Sequence, residues 1–491
     1  MKYISTRGGA EVSAGTAILK GIADDGGLYV PSSFPVLTKE LMQKMIKMEY
    51  FERAAEILSM YLTDYTKEEI LEYAEKAYSR FDGDPAPVIK IEDIYLLELF
   101  HGPTSAFKDI ALTILPYLMQ AARKKSGEKE KTLILVATSG DTGKAAAEGF
   151  KDVPGTEIVV LYPAKGVSEL QKLQMQVSEG DNVHIIGISG NFDEAQTLVK
   201  KIFNSKESNE QFKKLGYSLS SANSINWGRL APQIVYYISA YLDMLGCDEI
   251  KWGEKINVVV PTGNFGNILA AYYAMKMGLP INKLIVASNS NNVLTEFFND
   301  GKYDANRDFH KTISPSMDIL VSSNLERLLF EFADRDPLVV KKWMEELKNK
   351  GEYTIDKEEL AKKLPEFAGY MSTEEDTRDG ILAFYDLTDY VLDPHTAVAV
   401  NACYDYQYDT DDKTKTLVVS TASPYKFAKD VFEILTGKKE PSAINAMKRL
   451  YDYALIDVPS NMLELDMMEI LHTTEVDTAD VEKTIFSILK K

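Results

Sequence analysis

The feature that most constrains the fold of this chain is a repeated order of a short β-branched run, a polar or glycine-rich turn, and a helical segment. Six of these runs are apolar at nearly every position, and they are TLILVA (132–137), EIVVLY (157–162), VHIIGI (183–188), INVVV (256–260), KLIVA (283–287) and TLVVS (416–420). Strands of this kind suit a sheet covered on both faces, and a helix between successive strands makes them parallel. The sequence therefore predicts an α/β fold with mostly parallel sheets.

The spacing of the runs predicts two α/β domains within the 491 residues. Apolar residues at helical spacing from Thr38 to about Arg80 predict a helical N-terminal segment, and the stretch from about Phe330 to Tyr390 is also mostly helical in pattern. The predicted division is a helical segment over 1–90, a larger domain over 91–130 and 236–491 with helical insertions, and a smaller domain over 131–235.

The charge balance bears on partners and location. Asp and Glu number 74 against 55 Lys and Arg, a formal net charge of −19, which is the wrong sign for binding nucleic acid through its phosphates. The start, MKYISTRGGAEVSAG, lacks the apolar stretch of a signal peptide, and no run approaches the ~18 apolar residues of a membrane span. We expect a soluble cytoplasmic protein with no nucleic-acid or membrane partner.

Cysteine and histidine usage argues against a metal centre built by the protein. The two cysteines, Cys247 and Cys403, form neither a CxxC pair nor a disulfide framework, and the five histidines are scattered singly. We expect no metal site. Any electrophilic chemistry would then come from a cofactor.

The turn PTGNFGN (261–267) follows INVVV and leads into a helical segment. Ligands of open α/β sheets bind beyond the carboxyl ends of the strands. Gly263 and Gly266 allow backbone N–H groups to converge there, and the helix N-terminus adds a positive dipole end, so the turn predicts a phosphate site. The spacing is neither GxGxxG nor GxxxxGK[ST], which weakens the dinucleotide and Walker interpretations. A tight turn without a ligand is the structural alternative.

The turn TSGDTG (138–143) follows TLILVA in the same way. Ser139, Thr142 and the backbone N–H groups are suited to a carboxylate or phosphate. Because Asp141 would repel an anion, we expect it to face a cofactor hydroxyl or a substrate amine. Helix capping by Ser139 or Asp141 is the structural alternative.

The segment HGPTSAFKD places Lys108 just before a helical segment and next to Ala106 and Phe107. A helix N-terminus and apolar neighbours disfavour the ammonium form, and a Schiff-base lysine needs the neutral amine. Taken alone, a lysine of this kind is more often a solvated surface residue.

The late turn STASPYKF (420–427) follows TLVVS. Its hydroxyls at Thr421 and Ser423 have two open interpretations, a hydrogen bond to a ring nitrogen or a cap on the following helix.

In this order, the four motifs resemble those of threonine synthases, pyridoxal 5′-phosphate enzymes of fold type II in the tryptophan synthase β-like group. The resemblance extends over nearly the whole chain, through YISTRG, ADDGGLYVP, SANSINWGRLAPQIVYY, TISPSMDI and LDPHTAV. Several coincident motifs in one order are far more specific than any one of them.

The resemblance implies roles for individual residues. It implies that Lys108 carries the cofactor as a Schiff base and that Thr421 meets the pyridine nitrogen. Asn267 stands where some relatives have Asp. The implied cofactor-phosphate loop is Gly263, Asn264, Phe265, Gly266 and Asn267, and the implied loop for the α-carboxylate end of the substrate is Ser139, Gly140, Asp141, Thr142 and Gly143.

The reaction implied by the resemblance is conversion of O-phospho-L-homoserine and water into L-threonine and phosphate, the last step of threonine biosynthesis, by a monomer or homodimer. A second phosphate group then needs local basic residues in an acidic protein. Arg229 and Lys144 are the candidates, with Asn226 and Ser105 as neutral donors. Surface charges or helix caps are the structural alternative for each.

Three other functions remain as alternatives. Another fold type II reaction, such as a serine/threonine dehydratase or a β-replacement synthase, shares the lysine and the glycine loop. A catalytically idle cofactor-binding relative is disfavoured because Lys108 is retained. A Rossmann oxidoreductase would need GxGxxG after its first strand, and neither strong turn has that spacing.

Some residues are predicted to be structural. We expect packing roles for His101 and His395, with shaping of the cofactor loop as the alternative. We expect core positions for Cys247, Cys403, Tyr236 and Tyr237. In SSNLERL, the pair Ser323 and Glu326 has the spacing of a helix capping box.

Overall fold

The computed structural model describes residues 1–138, 140–165 and 167–490, without the side chains of Phe192, Asp193 and Asn204. The strands in the described residues are β1 (Tyr3–Ser5), β2 (Tyr29–Pro31), β3 (Val88–Ile91), β4 (Ile94–Glu98), β5 (Lys131–Ala137), β6 (Thr156–Pro163), β7 (Val183–Ile188), β8 (Tyr217–Ser220), β9 (Ile256–Pro261), β10 (Ile281–Ser288), β11 (Lys302–Asp304), β12 (Glu352–Thr354), β13 (Phe367–Met371), β14 (Thr416–Ser420) and β15 (Glu475–Val476).

The α-helices in the same residues are α1 (Ala14–Lys20), α2 (Lys39–Met45), α3 (Tyr50–Tyr61), α4 (Lys67–Tyr78), α5 (Asp109–Leu112), α6 (Leu115–Ser126), α7 (Asp141–Phe150), α8 (Glu169–Gln176), α9 (Phe192–Asn204), α10 (Lys206–Lys214), α11 (Trp227–Gly246), α12 (Gly266–Lys276), α13 (Val293–Asp300), α14 (Leu325–Phe332), α15 (Pro337–Lys350), α16 (Lys357–Lys363), α17 (Glu374–Thr388), α18 (Pro394–Thr410), α19 (Ala428–Thr436), α20 (Ala443–Ala454) and α21 (Val481–Leu489). Short 3₁₀ helices cover Pro315–Met317, Pro424–Phe427, Ser460–Met462 and Thr478–Asp480. Among these described residues, no helix is both long and apolar enough to cross a membrane.

Two larger sheets carry the architecture. One has six strands in the order β13-β10-β9-β14-β4-β3, parallel except for the antiparallel pair β3 and β4. The other has five parallel strands in the order β15-β7-β6-β5-β8. The predicted α/β fold with mostly parallel sheets is confirmed.

The six apolar runs are the strands β5, β6, β7, β9, β10 and β14, and their burial explains why sequence identifies them. Every residue of β9 and β14 is buried, as are six of the seven residues of β5. The stretch from 330 to 390 is mostly helical, as expected, but it also contains β13, which was not predicted. This strand has five residues and only Gly369 is buried, so it lacks a continuous apolar run.

The N-terminal helical pattern corresponds to α2, α3 and α4. Thr38 caps α2, and Thr66 forms a capping box with Glu69 at the start of α4. These helices bury one face each against the core, which is the origin of the apolar spacing.

The core position predicted for Cys247 is wrong, whereas Cys403 is buried as predicted. Cys247 follows the last residue of α11 and is exposed there.

The capping box predicted for Ser323 and Glu326 is wrong. Helix α14 begins at Leu325 with Asn324 at its N-cap, so the motif is out of register. The Glu326 carboxylate instead accepts hydrogen bonds from Thr6 (2.6 Å) and from Arg7 (2.8 and 2.7 Å), which tie the N-terminal segment to α14.

The predicted domain division stays a prediction, apart from one correction. The sequence placed everything to residue 491 in the larger domain, whereas β15 pairs in parallel with β7 of the five-stranded sheet. In α21, Val481 and Ile485 are buried in the cluster on that sheet. A two-residue strand carries no periodic signal, so sequence reasoning missed this return of the chain.

Candidate active site

Lys108 lies at the start of α5, in a loop held by buried hydrogen bonds. The Asp109 carboxylate accepts from the backbone N–H (2.8 Å) and the hydroxyl (2.6 Å) of Thr104. The N–H of Phe107 donates to the carbonyl of Thr421 at 2.9 Å, which fixes the loop at the end of β14. Ser105 has the left-handed φ of 56°, a conformation that L-residues other than glycine, asparagine and aspartate rarely adopt. The backbone around the lysine is therefore strongly constrained.

The amine of Lys108 faces a buried carboxylate. Its Nζ lies 3.6 Å from Oδ2 of Asp141 and donates to Oγ of Ser316 at 3.4 Å. On the other side of Asp141, Nζ of Lys426 lies 3.1 Å from Oδ1, and the Lys426 side chain is 0% exposed. Gln171 donates to the same Oδ1 at 3.1 Å. Ser316 donates to Oδ2 of Asp141 at 3.4 Å, so four side chains, Lys108 among them, converge on this carboxylate.

The electrostatics of this cluster shift Lys108 towards its neutral form and keep Asp141 ionised. Burial lowers the pKa of Lys108, Asp141 opposes that shift, and the positive charges of Lys426 and Arg229 add to it. Burial alone would raise the pKa of Asp141, but Lys426 and Lys108 lower it below the usual range. The direction for Lys108 is the one expected from its sequence context.

The turn after β5 is shaped by Thr138. Its Oγ1 accepts hydrogen bonds from the N–H groups of Gly140 and Gly143, each at 2.9 Å, so Asp141 is not needed as the cap of α7. Gly140 has φ 148° and ψ −92°, and a Cβ there would lie 2.4 Å from the Gln171 side chain.

The residues predicted to bind the substrate carboxylate differ in their contacts and in their burial. Asp141 faces Lys108 and Lys426, and its expected contact with a cofactor hydroxyl or a substrate amine stays a prediction. The N–H of Gly143 is engaged by Thr138, whereas Thr142 lies half-buried in the first turn of α7. Ser139 lies outside the described residues.

Residues outside the turn that follows β9 hold its backbone carbonyl groups by hydrogen bonds. Ser322 donates to the carbonyl of Gly263 at 2.8 Å, and Asn324 donates to the carbonyl of Asn264 through its backbone (3.1 Å) and side chain (2.9 Å). Phe265 adopts φ 63° immediately before α12. Since the first N–H groups of a helix have no intrahelical acceptor, this turn presents donors at the start of α12.

Gly263 packs closely against the backbone of Ser316. A Cβ at Gly263 would lie 2.6 Å from the carbonyl oxygen of Ser316. The N–H of Ser316 donates to Nε2 of His395 at 3.1 Å, and Nδ1 of His395 lies 2.8 Å from Asp393. His395 therefore orients a residue in contact with both Lys108 and Asp141, which is more than the packing role expected for it.

Asn267 lies in the first turn of α12 and is buried. Its Oδ1 accepts from the hydroxyls of Tyr236 (2.5 Å) and Tyr237 (2.6 Å). Its Nδ2 is buried and has no hydrogen-bond partner among the described residues. Both tyrosines are buried as predicted, and their hydroxyls serve the loop as well as the core.

At the end of β14 the structure separates the two open interpretations of the hydroxyls. Ser423 caps the 3₁₀ helix Pro424–Phe427 by accepting from the N–H of Tyr425. Thr421 is buried beside the Lys108 loop and is not the cap of that helix.

Arg229 and Lys144, the basic candidates for binding a second phosphate, each use part of their hydrogen-bonding capacity within the protein. The Arg229 side chain donates to the carbonyl of Ala222 at 2.6 Å, and its buried Nε has no partner among the described residues. Burial lowers the pKa of Arg229 to about 10. Lys144 donates to Ser178 (3.2 Å) and Glu148 (3.4 Å).

The neutral donors fit less well. The Asn226 side chain is fully used, because Nδ2 donates to the carbonyls of Ile18 (2.8 Å) and Ser221 (2.9 Å) while Oδ1 caps α11. Asn226 is a helix cap, so the substrate role predicted for it is wrong in this conformation. The hydroxyl of Ser105 accepts from Asn461 at 2.9 Å.

Sequence reasoning missed Lys426, Ser316, Gln171 and Asn461. Lys426 and Ser316 lie inside the motifs SPYKF and TISPSMDI, which were noticed, but nothing in either motif indicates which side chain turns inward. No spacing rule relates them to Lys108, because Lys108 and Ser316 are 208 positions apart.

The site fits pyridoxal phosphate. It combines a lysine of lowered pKa whose side chain is only 11% exposed, a turn of backbone donors, and a hydroxyl at Thr421. It also has a buried amide donor on Asn267 that lacks a partner in the described part of the chain. A sequence profile described as pyridoxal-phosphate dependent enzyme matches residues 84–422. The fold and the site thus define a pyridoxal-phosphate dependent enzyme of fold type II.

The N-terminal and C-terminal parts of the chain identify a family within this class of enzymes. Profiles described as Threonine synthase N terminus and Threonine synthase, C-terminal match residues 2–78 and 396–462. The threonine synthase of Pseudomonas aeruginosa is 39% identical over 435 residues, which are 88% of this chain and 90% of that protein. The chain belongs to the threonine synthase family, so the family, fold and cofactor predicted from the sequence are confirmed.

Structural comparison agrees with this assignment. The crystal structure of pyridoxal-phosphate-bound threonine synthase from Brucella melitensis has a TM-score of 0.88 at 35% identity and covers 100% of both chains. Another relative, threonine synthase-like 1 of Macaca fascicularis, is 39% identical over 441 residues, and the chain spans only 58% of its length.

Proposed function

We propose that this protein converts O-phospho-L-homoserine and water into L-threonine and phosphate, the last step of threonine biosynthesis. The observation that carries the proposal is that segments specific to threonine synthases bracket the cofactor-binding core at both ends. A dehydratase or β-replacement enzyme of the same fold type would need only the core.

Pyridoxal phosphate, when bound, supplies an electron sink for carbanion chemistry. The residues that would hold it are Lys108 at its aldehyde, the turn from Gly263 to Asn267 at its phosphate, and Thr421 at its ring nitrogen. A hydroxyl at Thr421 accepts or donates a hydrogen bond without fixing a positive charge on the ring.

Lys108 would move the protons. Its lowered pKa supports a neutral amine that removes the α-proton of the substrate. Asp141 at 3.6 Å and Ser316 at 3.4 Å orient Nζ. Because Lys108 is buried, the proton it takes is retained inside the site.

The substrate's two anionic ends require separate donors. The turn containing Ser139, Gly140, Asp141, Thr142 and Gly143 is proposed to bind the α-carboxylate end, with Asp141 neutralised by the lysines. For the departing phosphate we propose Arg229 and Lys144, assisted by Ser105. The buried Nε of Arg229, which has no hydrogen-bond partner in the described part of the chain, supports this assignment.

The remaining proposals concern the state of the protein. The division into a helical segment, a larger domain and a smaller domain supports closure of the cleft on substrate, which would exclude water until the hydration step. We infer a cytoplasmic enzyme that acts as a monomer or homodimer.

The test is release of phosphate and threonine from O-phospho-L-homoserine by the purified protein. Equal amounts of both products are expected, together with a visible absorbance band from the cofactor bound at Lys108. In Lys108→Ala both the turnover and the band should disappear. Lys429→Met, a change at an exposed lysine, is the control and should keep both.

The other outcomes discriminate among the alternatives. A cofactor band without turnover would overturn the proposed substrate and direct the search to serine, threonine and O-acetylserine. No band in the wild-type protein would contradict the assignment of Lys108.

A further inference from the structure

Lys426 is a fully buried charge at the site, and the proposed reaction uses it only to balance the charge of Asp141. Its side chain is 0% exposed. It follows β14 of the six-stranded sheet, on the 3₁₀ helix Pro424–Phe427. An uncompensated buried ammonium is very costly, so its partners indicate what it does.

Those partners come from both sides of the site. Nζ of Lys426 lies 3.1 Å from Oδ1 of Asp141 on α7 and donates to Oε1 of Gln174 on α8 at 3.4 Å. It also donates to the carbonyl of Thr104 at 2.9 Å, four residues before Lys108. Helix α7 packs on β5 and β6 of the five-stranded sheet, and α8 packs on α7. Thr104 and Lys426 instead follow β4 and β14 of the six-stranded sheet. The Lys426 ammonium thus connects residues attached to the six-stranded sheet with Asp141, which follows the five-stranded sheet.

The charges that face Nζ of Lys108 come from three elements. Asp141 on α7 contributes a negative charge, and Lys426 and Arg229 (on α11) contribute positive ones. His395 on α18 reaches Lys108 only through Ser316. Removing Lys426 would leave Asp141 as the dominant neighbour of Lys108.

We propose that Lys426 is a positioning residue that holds the Asp141 carboxylate against the nitrogen of Lys108 and limits how strongly this nitrogen retains a proton. The proposal rests on the proposed role of Lys108 as the cofactor lysine. Asp141 alone would stabilise a proton on that nitrogen, and Lys426 shares the carboxylate and opposes the proton. The pair therefore orients Lys108 without trapping it in the charged form.

The test is a pH titration of the visible absorbance of the cofactor in the holoenzyme, since this absorbance changes when the proton on the Lys108 nitrogen is lost. Lys426→Met should raise the midpoint by about half a pH unit or more, because a neighbouring like charge is removed. Asp141→Asn should lower it. Lys426→Arg should restore the wild-type midpoint, and Lys429→Met should not move it.

The double variant Lys426→Met/Asp141→Asn distinguishes action through Asp141 from a direct effect. If Lys426 acts through Asp141, the shift caused by Lys426→Met shrinks in the Asp141→Asn background. The alkaline limb of the kcat/KM profile is the second measurement, and it should move in the same direction as the absorbance midpoint.

The outcomes are separable from those of the proposed function. Absence of a cofactor band in the wild-type protein would contradict the assignment of Lys108 as the cofactor lysine. A normal band whose midpoint and alkaline limb are the same in the wild type, Lys426→Met and Asp141→Asn would overturn the role of Lys426. A fall in thermal stability of Lys426→Met without either shift would make Lys426 a structural residue only.

Discussion

The amide oxygen of Asn267 accepts hydrogen bonds from the hydroxyls of two consecutive tyrosines, and the shorter of the two, from Tyr236, is 2.5 Å long. The Tyr236 oxygen also lies 3.1 Å from Oε1 of Gln233, and Gln233 donates to the carbonyl of Arg229. A buried polar chain therefore runs from the start of α12 to the arginine proposed for the substrate phosphate. Because polar groups are costly to leave unpaired in a buried network, changes within this chain should affect stability.

Replacing Asn267 tests this chain. Asn267→Leu removes the acceptor for two buried hydroxyls, and we expect a loss of about 2 kcal/mol in the free energy of unfolding. Asn267→Asp keeps the acceptor at a helix N-terminus, where a carboxylate is favourable, so its loss should be less than half as large. Urea unfolding of both variants measures the difference. Equal losses would show that the hydroxyls do not need this acceptor.

Gly263→Ala should weaken cofactor binding. The new Cβ would lie 2.6 Å from the carbonyl oxygen of Ser316, and relief of that contact displaces the residue next to Lys108. We expect at least about a tenfold rise in the Kd for pyridoxal phosphate, equivalent to about 1.4 kcal/mol, measured by titration of the cofactor-free protein.

The control for this change is Gly246→Ala at the end of α11. A Cβ there would make only an ordinary contact of 3.6 Å with Ile46, and alanine is the better helix former. Its Kd should match that of the wild type. A similar weakening in both variants would place the cause outside the contact with Ser316.

A feature of the fold or of the site can be predicted from the sequence when nearby residues determine it. The runs that became β5, β9 and β14 were identified because burial on both faces makes them apolar at nearly every position. Lys108 was selected by its immediate neighbours and its motif, and the structure places it in a buried cluster. In these cases the determining neighbours lie within a few residues.

The features that sequence missed are pairings between distant segments. Lys426 follows β14 of the six-stranded sheet and meets Asp141, which follows β5 of the five-stranded sheet, and Asn461 reaches Ser105 from 356 positions away. Asn226 shows the converse error. Its polar side chain sits in a family-like motif, but it is consumed by capping α11 and by contact with α1, which no local pattern reveals.

The stability of the protein should depend on Asp141 with a definite pH sign. Its pKa in the folded protein is lowered because Lys426 and Lys108 outweigh the effect of burial. A group of this kind contributes stability that is fully present above its unfolded pKa of about 3.9 and is lost as the pH falls towards the folded value. The deficit of Asp141→Asn, about 3 kcal/mol at neutral pH, should therefore shrink below about pH 4.

Unfolding of wild type and Asp141→Asn by urea at several pH values between 3 and 7 is the measurement. The difference between the two curves removes the contribution of the other 73 acidic residues, one fewer than the 74 in the sequence. A deficit that stays constant over this range would contradict the ionised state assigned to Asp141.

The loop before Lys108 should depend on Asn461, a residue from the C-terminal part of the chain. Asn461 donates to Oγ of Ser105 at 2.9 Å, and Ser105 holds the unfavourable φ of 56°. In Asn461→Ala the buried hydroxyl loses its donor and the strained backbone is free to relax. We expect a stability loss of about 1–2 kcal/mol and a larger proportional fall in kcat, because relaxation at Ser105 moves Lys108 away from Asp141. Asn445→Ala, at an exposed position on α20, is the control. If kcat is preserved while stability falls, Asn461 supports the fold without positioning the lysine.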